Sequence, residues 1–311
     1  MIALVDEVRS ETVELENAAG RRLFGLFSEP LEAERRGVVV LPPGYERRIH
    51  HYAVLSRHLV RHGYATVRFD LTNHIGLSEG EVFDLTMSSM VDDVASVLSA
   101  YREQAPPGAL SVVASSLAAR ATIRALAEGR DDGVHSAVLI LPVVDVERTT
   151  TEVVGENRVG QWRTGEVTDP TLPNRVLNHD VSYGFAKDVV ESGLHDLAGT
   201  KDELARIRCP VTALAAERDD WVDVGQVREA MGVDAPGARA TVLIEAASHE
   251  FSSNAPVVRL LLEQVGDRLA TDRGEEPPPV RHLDFDEMVE TIRQEKAWKL
   301  DSYRTVREVV T

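Results

Sequence analysis

Three side chains, far apart along the chain, have the chemistry to turn a hydroxyl into an attacking group: Ser116, Asp219 and His249. A serine hydroxyl is a poor nucleophile near neutral pH, so a base must take its proton as it attacks. A histidine can do this when a carboxylate holds its tautomer and stabilises the imidazolium that forms. Ser116 lies in Ala114-Ser115-Ser116-Leu117-Ala118, between an apolar run at 110–113 and a helical stretch at 117–128. A serine displayed on a strand-to-helix turn needs small residues two places to either side, because the backbone folds sharply there. Glycine usually fills both places; here both are alanine. An elbow centred on Ser115 would instead put Leu117 in one of the tight places, so Ser116 is the candidate nucleophile. Taken alone, either serine reads equally as a helix N-cap.

Two downstream segments supply the partners. The apolar run 211–216 ends in Glu217-Arg218-Asp219-Asp220-Trp221-Val222, and the run 240–244 ends in Glu245-Ala246-Ala247-Ser248-His249-Glu250. An acid thus follows one strand and a histidine the next, in the chain order Ser, Asp, His of α/β-hydrolases. Asp219 is preferred to Asp220 and Asp223 because Asp-x-x-Val is a frequent spacing in such enzymes. Asp145, after the run 137–144, is the reserve acid. The plainer readings are a helix cap at 224–231 for Asp219 and a surface-loop histidine for His249. The attack also needs donors for the developing oxyanion, and these usually come from the residue after the nucleophile and from the loop after an early strand. The backbone N–H of Leu117 fits the first place. The run 37–41 leads into Pro42-Pro43-Gly44-Tyr45, where the N–H of Tyr45 fits the second. A strand at 66–69 then runs into Asp70-Leu71-Thr72-Asn73-His74-Ile75-Gly76-Leu77-Ser78, similar to the Asp…Gly-x-Ser loop found at this place in α/β-hydrolases.

Between residues 38 and 250 the matches become specific. They comprise the loop Gly44-Tyr45-Glu46-Arg47-Arg48, His51, Gly63, Arg68, Asp70, His74 with Gly76-Leu77-Ser78, and Thr86-Met87. Ala114-x-Ser116-Leu117-x-Ala119-Arg120, Asp219-Asp220-Trp221-Val222 and Ser248-His249 complete the set. Together they resemble the acyltransferase family of bacterial bioluminescence, a thioesterase that releases myristate from acyl carrier protein to supply the fatty acid reductase. The resemblance implies that Ser116, Asp219 and His249 are the nucleophile, acid and base. It also implies release of an acyl group from a thioester of acyl carrier protein or coenzyme A through a serine-linked acyl-enzyme. That family likewise lacks a standard elbow. The stretch 145–206 matches poorly, which leaves the natural acyl group and any tie to light emission open. A carboxylesterase, an acyltransferase to a non-water acceptor, and a catalytically dead hydrolase-fold binding protein are the alternatives.

The elements that must position these residues follow from periodicity. Short alternating segments at 12–16 and 23–28 around Ala18-Ala19-Gly20 predict an edge hairpin. From Gly37 onward strands alternate with helices at 51–62, 87–103 and 117–128, which predicts a mostly parallel sheet with helices on both faces. The fold class is therefore α/β, an α/β-hydrolase with an inserted lid. The divisions are 1–145 and 207–273 for the core, 146–206 for the lid, and 274–311 for a linker and an amphipathic C-terminal helix. The lid carries Trp162, Leu172, Val176, Leu177, Tyr183, Phe185, Val189, Val190 and Leu194, which suit either an acyl channel or packing onto the body. Phe285, Met288, Val289 and Ile292 recur at helical spacing and could cover the body or pair subunits in a homodimer.

Composition bounds the partners. A net charge of −17 argues against nucleic acid and anionic membranes. It also opposes an acidic carrier protein unless a local basic patch steers docking. Arg47 and Arg48, with Arg57, Arg61, His50, His51, His58 and His62 nearby, are the candidate patch for a carrier or its phosphopantetheine arm. The alternative is an ordinary solvated helix face. No signal peptide or membrane span is visible, so a cytoplasmic location is expected. A single cysteine, Cys209, allows no intrachain disulfide and reads as a small core residue. No metal and no cofactor are called for: the early histidines lack a carboxylate partner at zinc spacing.

Overall fold

The computed structural model describes residues 8–31, 35–106, 108–249, 254–277 and 283–309, with side chains through Trp298 in the last stretch. Its centre is an eight-stranded sheet, in the order β1 (Val8–Glu16), β2 (Arg22–Pro30), β4 (Tyr64–Phe69), β3 (Gly37–Leu41), β5 (Leu110–Ser115), β6 (Val134–Ile140), β9 (Val211–Ala216) and β10 (Arg239–Ile244). Strands β1 and β2 form an antiparallel hairpin at one edge, and β2 joins β4 antiparallel. Strands β3, β4, β5, β6, β9 and β10 all run parallel. The expected mostly parallel sheet with an antiparallel edge is therefore what the structure has.

A strand covered on both faces should be apolar throughout. Val38, Val39, Val40 and Leu41 of β3 have no exposed surface. They divide alternately between two cores, as the two-residue period of a strand requires. Val38 and Val40 join the core under α2 (Met87–Arg102), α3 (Ser116–Ala125) and α8 (Val224–Met231). Val39 and Leu41 join the core under α1 (Ala53–Arg61) and α9 (Ala255–Asp272), which also takes Met288 of α10 (Phe285–Val309). Because β3 lies between β4 and β5, the order in which strands are added reverses there, which opens a crevice outside the carboxyl ends of these parallel strands.

Between β6 and β9 the chain makes α4 (Val146–Val154), α5 (Arg158–Arg163), the hairpin β7 (Pro173–Val176) and β8 (His179–Ser182), α6 (Gly184–Glu191) and α7 (Leu197–Leu204). Tyr183, Phe185, Val189 and Leu194 are buried in the main core, and Trp162, Val176 and Val190 pack against it half-buried. Packing on the body thus accounts for most of the apolar residues that also suited an acyl channel; Leu172 is exposed. Two polar clusters fix the rear of this segment. Glu203 of α7 takes Arg120 of α3 bidentately, with both side chains buried, and Arg124 Nε donates to it at 2.7 Å. Asp188 of α6 accepts Ser88 N and Oγ of α2 at 2.9 and 2.6 Å.

The early helix differs from its prediction. A turn of 3-10 helix (Ile49–Tyr52) precedes α1, and His58 and His62 are buried. Their ring centroids lie 4.4 Å apart beneath α9, with the planes tilted by 45°. Gly266 makes room for them, since a Cβ there would stand 2.9 Å from His62 Cε1. Arg61 pairs with Glu287 of α10 at 2.8 Å. Of the candidate basic patch over 47–62, His58, His62 and Arg61 are therefore withdrawn from solvent by α9 and α10, whichever of the two readings holds for its first residues. Cys209 is buried and its thiol is pushed up to about 12 by burial, as suits a core residue. Of the Pro-rich linker, residues 278–280 lie outside the described residues.

Candidate active site

Parallel strands deliver their carboxyl ends to one edge of the sheet, and each candidate residue follows such an end. Ser116 is the first residue of α3, directly after β5, with φ +51. A non-glycine residue in this region is strained, and such strain persists only where the surroundings over-determine it. Ala114 and Ala118 are fully buried at the two tight places. From the far side, Val143 N donates to Ser116 O at 3.2 Å. Ser115 caps nothing with its side chain; its hydroxyl bonds Tyr52 Oη.

The three candidates come together. Ser116 Oγ lies 2.9 Å from His249 Nε2. His249 Nδ1 lies 2.9 and 3.1 Å from the two oxygens of Asp219. The Asp219 side chain is buried, and its Oδ1 also accepts the backbone N–H groups of Trp221 and Val222 at 3.0 and 2.9 Å. This turn explains the Asp-x-x-Val spacing: the amide three residues on fixes the carboxylate that faces the imidazole. The Trp221 indole lies against the His249 ring with centroids 4.5 Å apart. A carboxylate on Nδ1 puts the imidazole proton there and leaves Nε2 free to accept from the serine. The arrangement can therefore deprotonate Ser116 and return a proton to a leaving group.

The competing assignments fall away. Asp223, not Asp219, caps α8, accepting Gly225 N at 2.7 Å. Asp145, the reserve acid, caps α4 through Arg148 N at 2.9 Å and accepts Gln226 Nε2 at 3.1 Å. It is committed elsewhere.

The loop after β3 lies directly against the serine. A Cβ on Gly44 would come within 3.2 Å of Ser115 O and 3.4 Å of Ser116 Cβ, so glycine permits the approach. Gly44 N donates to Tyr52 Oη at 2.9 Å, the same oxygen that meets Ser115. Tyr52 thus ties the loop to the elbow, and no pattern in the sequence marks it for that role. Burial raises the pKa of its phenol, which keeps it protonated. Arg47 and Arg48 are half-buried on the same loop. Behind it, Asp70 accepts Ile49 N and Leu77 N, both at 2.9 Å, and Ser78 Oγ donates to Asp70 O at 2.5 Å. Among the described residues no cluster of three or more His, Cys, Asp or Glu could hold a metal ion, and no helix is long and apolar enough to cross a membrane.

Comparison with known proteins gives the chain's family and fold. The family model of acyl transferases matches residues 10–274. The acyl transferase of Photorhabdus luminescens is 25% identical over 245 residues, covering 78% of this chain and 76% of that one. That of Photobacterium leiognathi is 26% identical over 232 residues, covering 73% and 70%. Among solved structures, ferulic-acid-bound Est1E from Butyrivibrio proteoclasticus superposes with a TM-score of 0.67 at 15% identity, covering 85% of this chain and all of that one. The esterase domain of a Rhodothermus marinus protein gives 0.60 at 17% identity, covering 85% and 98%. The fold is that of the α/β-hydrolases.

Proposed function

The chain belongs to the acyl transferase family, and on that premise we propose that it releases acyl groups from thioesters of acyl carrier protein or coenzyme A through an ester on Ser116. The observation that carries this reading is the unbroken line from Ser116 Oγ to His249 Nε2 and from His249 Nδ1 to Asp219. In the first half-reaction Ser116 Oγ bonds to the acyl carbonyl carbon while His249 Nε2 takes its proton. The N–H groups of Tyr45 and Leu117 receive the oxyanion; removing one such donor typically costs about 3 kcal/mol of transition-state stabilisation. Collapse breaks the carbon–sulfur bond, and His249 gives its proton to the departing sulfur. In the second half-reaction water attacks the Ser116 ester, His249 takes the water's proton, and collapse returns that proton to Ser116 Oγ with release of the carboxylic acid. Asp219 keeps the imidazole in the competent tautomer throughout. Arg47 and Arg48, at the rim of the loop, are the proposed contacts for an acidic carrier or the phosphate of its arm.

Thiol release from coenzyme A and acyl-carrier-protein thioesters of two to sixteen carbons, with p-nitrophenyl esters alongside, tests the reading. Thioester turnover that disappears in Ser116→Ala is expected. Turnover of esters alone would make the protein a carboxylesterase. Product acyl esters formed only with an added alcohol would make it a transferase to a non-water acceptor. Binding without turnover would leave a hydrolase-fold binding protein.

A further inference from the structure

The loop that approaches Ser116 is a four-residue turn closed by Arg47 N donating to Gly44 O at 3.0 Å. Its third residue is Glu46, with φ +58, a place where turns ordinarily require glycine or asparagine. The glutamate is held there by contacts on two sides. Its N–H donates to Nε2 of the buried His74 at 3.1 Å. Its carboxylate accepts both Asn178 N at 2.7 Å and Asn178 Nδ2 at 2.9 Å, at the tip of the β7–β8 hairpin. Beside it, Tyr45 Oη donates to Val176 O of that hairpin at 3.0 Å, and the Tyr45 ring meets His74 edge-on at 5.6 Å. On the other side of the turn, Gly44 N is committed to Tyr52. The amides of residues 44 and 46 thus each have a fixed acceptor, and the amide of Tyr45 lies between them.

We propose that His74 and Glu46 are positioning residues. The His74 imidazole, accepting through Nε2, sets the plane of the 45–46 peptide. The Glu46 carboxylate anchors the turn to the hairpin, so that Tyr45 N–H is aimed at the oxyanion. Neither side chain touches reacting atoms. The proposal rests on the acyl-transfer reading of the site. Burial lowers the His74 pKa to about 4, which keeps Nε2 an acceptor at neutral pH. Because the Tyr45 donor matters most once negative charge has formed, its misalignment should fall on kcat rather than KM.

Steady-state kinetics on a coenzyme A thioester and a p-nitrophenyl ester test this. His74→Phe, which fills the volume without an acceptor, should lower kcat about ten- to a hundred-fold with KM within about two-fold, a loss short of that for a deleted oxyanion donor. His74→Gln, which returns an acceptor near the Nε2 position, should recover most of the loss. Asn178→Asp disturbs only the exposed tie and spares the core. It should lower kcat several-fold, and adding Glu46→Gln, which re-pairs an amide with a carboxylate, should restore it. Wild-type kcat in His74→Phe and Asn178→Asp would overturn the proposal, as would losses that the restoring variants fail to recover. Ser116→Ala, run in parallel, separates the two readings. If it retains turnover, the acyl-transfer site itself is misplaced. If it is inactive while the His74 and Asn178 variants keep full kcat, only the positioning roles fail.

Discussion

The segment between β6 and β9 is held at its two ends by opposite means. At its rear, Glu203 and Arg120 are both buried, and Arg124 adds a second guanidinium to the same carboxylate. At its front, the exposed Asn178 meets Glu46, and Tyr45 donates to one carbonyl. A buried ion pair is hard to break, because the abandoned partner keeps its desolvation penalty. An exposed tie is screened and replaceable by water. The rear therefore fixes the segment to α3, while the front joins the hairpin to the turn beside Ser116 through contacts that water can replace.

The largest effect expected from this contrast is at the rear. Glu203→Ala removes the carboxylate from the buried Arg120 and leaves Arg124 only the exposed Glu128, and it should lower unfolding stability by about 3–5 kcal/mol, measured by urea denaturation. A loss below about 1 kcal/mol would show that the rear is no firmer than the front.

A smaller effect depends on pH. The His74 pKa, about 4 in the native protein, lies below the ordinary histidine value of 6.5. Between those values the unfolded chain carries the proton and the native chain does not. Stability is therefore full above pH 6.5 and falls as pH drops toward 4, at up to about 1.4 kcal/mol per pH unit. Glu46, Tyr45, Arg48 and His179 surround the ring. Burial raises Asp93 to about 6, so its contribution has the opposite sign, but it is common to both proteins compared. Denaturation of wild type and His74→Gln from pH 7 to pH 4 should show the variant losing less stability. Parallel curves would mean that His74 is not the acid-sensitive group. Smallest of all, Asn178→Ala should change stability by less than about 1 kcal/mol while still altering turnover. A larger melting shift would place structural weight on the hairpin tip.

What the sequence made legible follows the same division. Ser116, Asp219 and His249 each come just after a strand end, and parallel pairing brings such ends together whatever the distance along the chain. Gly44 and the alanines around Ser116 are readable because close approach restricts residue size. The pairing of Glu46 with Asn178 joins residues 132 apart with no period to announce it. The burial of His58 and His62 depends on α9 and α10 packing over α1, which periodicity within one helix cannot reveal. The family match ends at residue 274, and α10 follows it, bound through Glu287 to Arg61 and through Glu295 to Arg68, whose Nη1 also donates to Ile49 O.

If the acyl group passes through Ser116, intact-protein mass spectrometry of a quenched reaction should catch it there. After mixing with an acyl-coenzyme A, wild type should gain the mass of one acyl group, mapped by peptide digestion to the segment holding Ser116. His249→Gln should form the adduct far more slowly, and Ser116→Ala should form none. Ser115→Ala should acylate within a few-fold of wild type, since its hydroxyl supports Tyr52 and does not attack. An adduct on another residue, or turnover by Ser116→Ala, would mean that Ser116 is not the nucleophile.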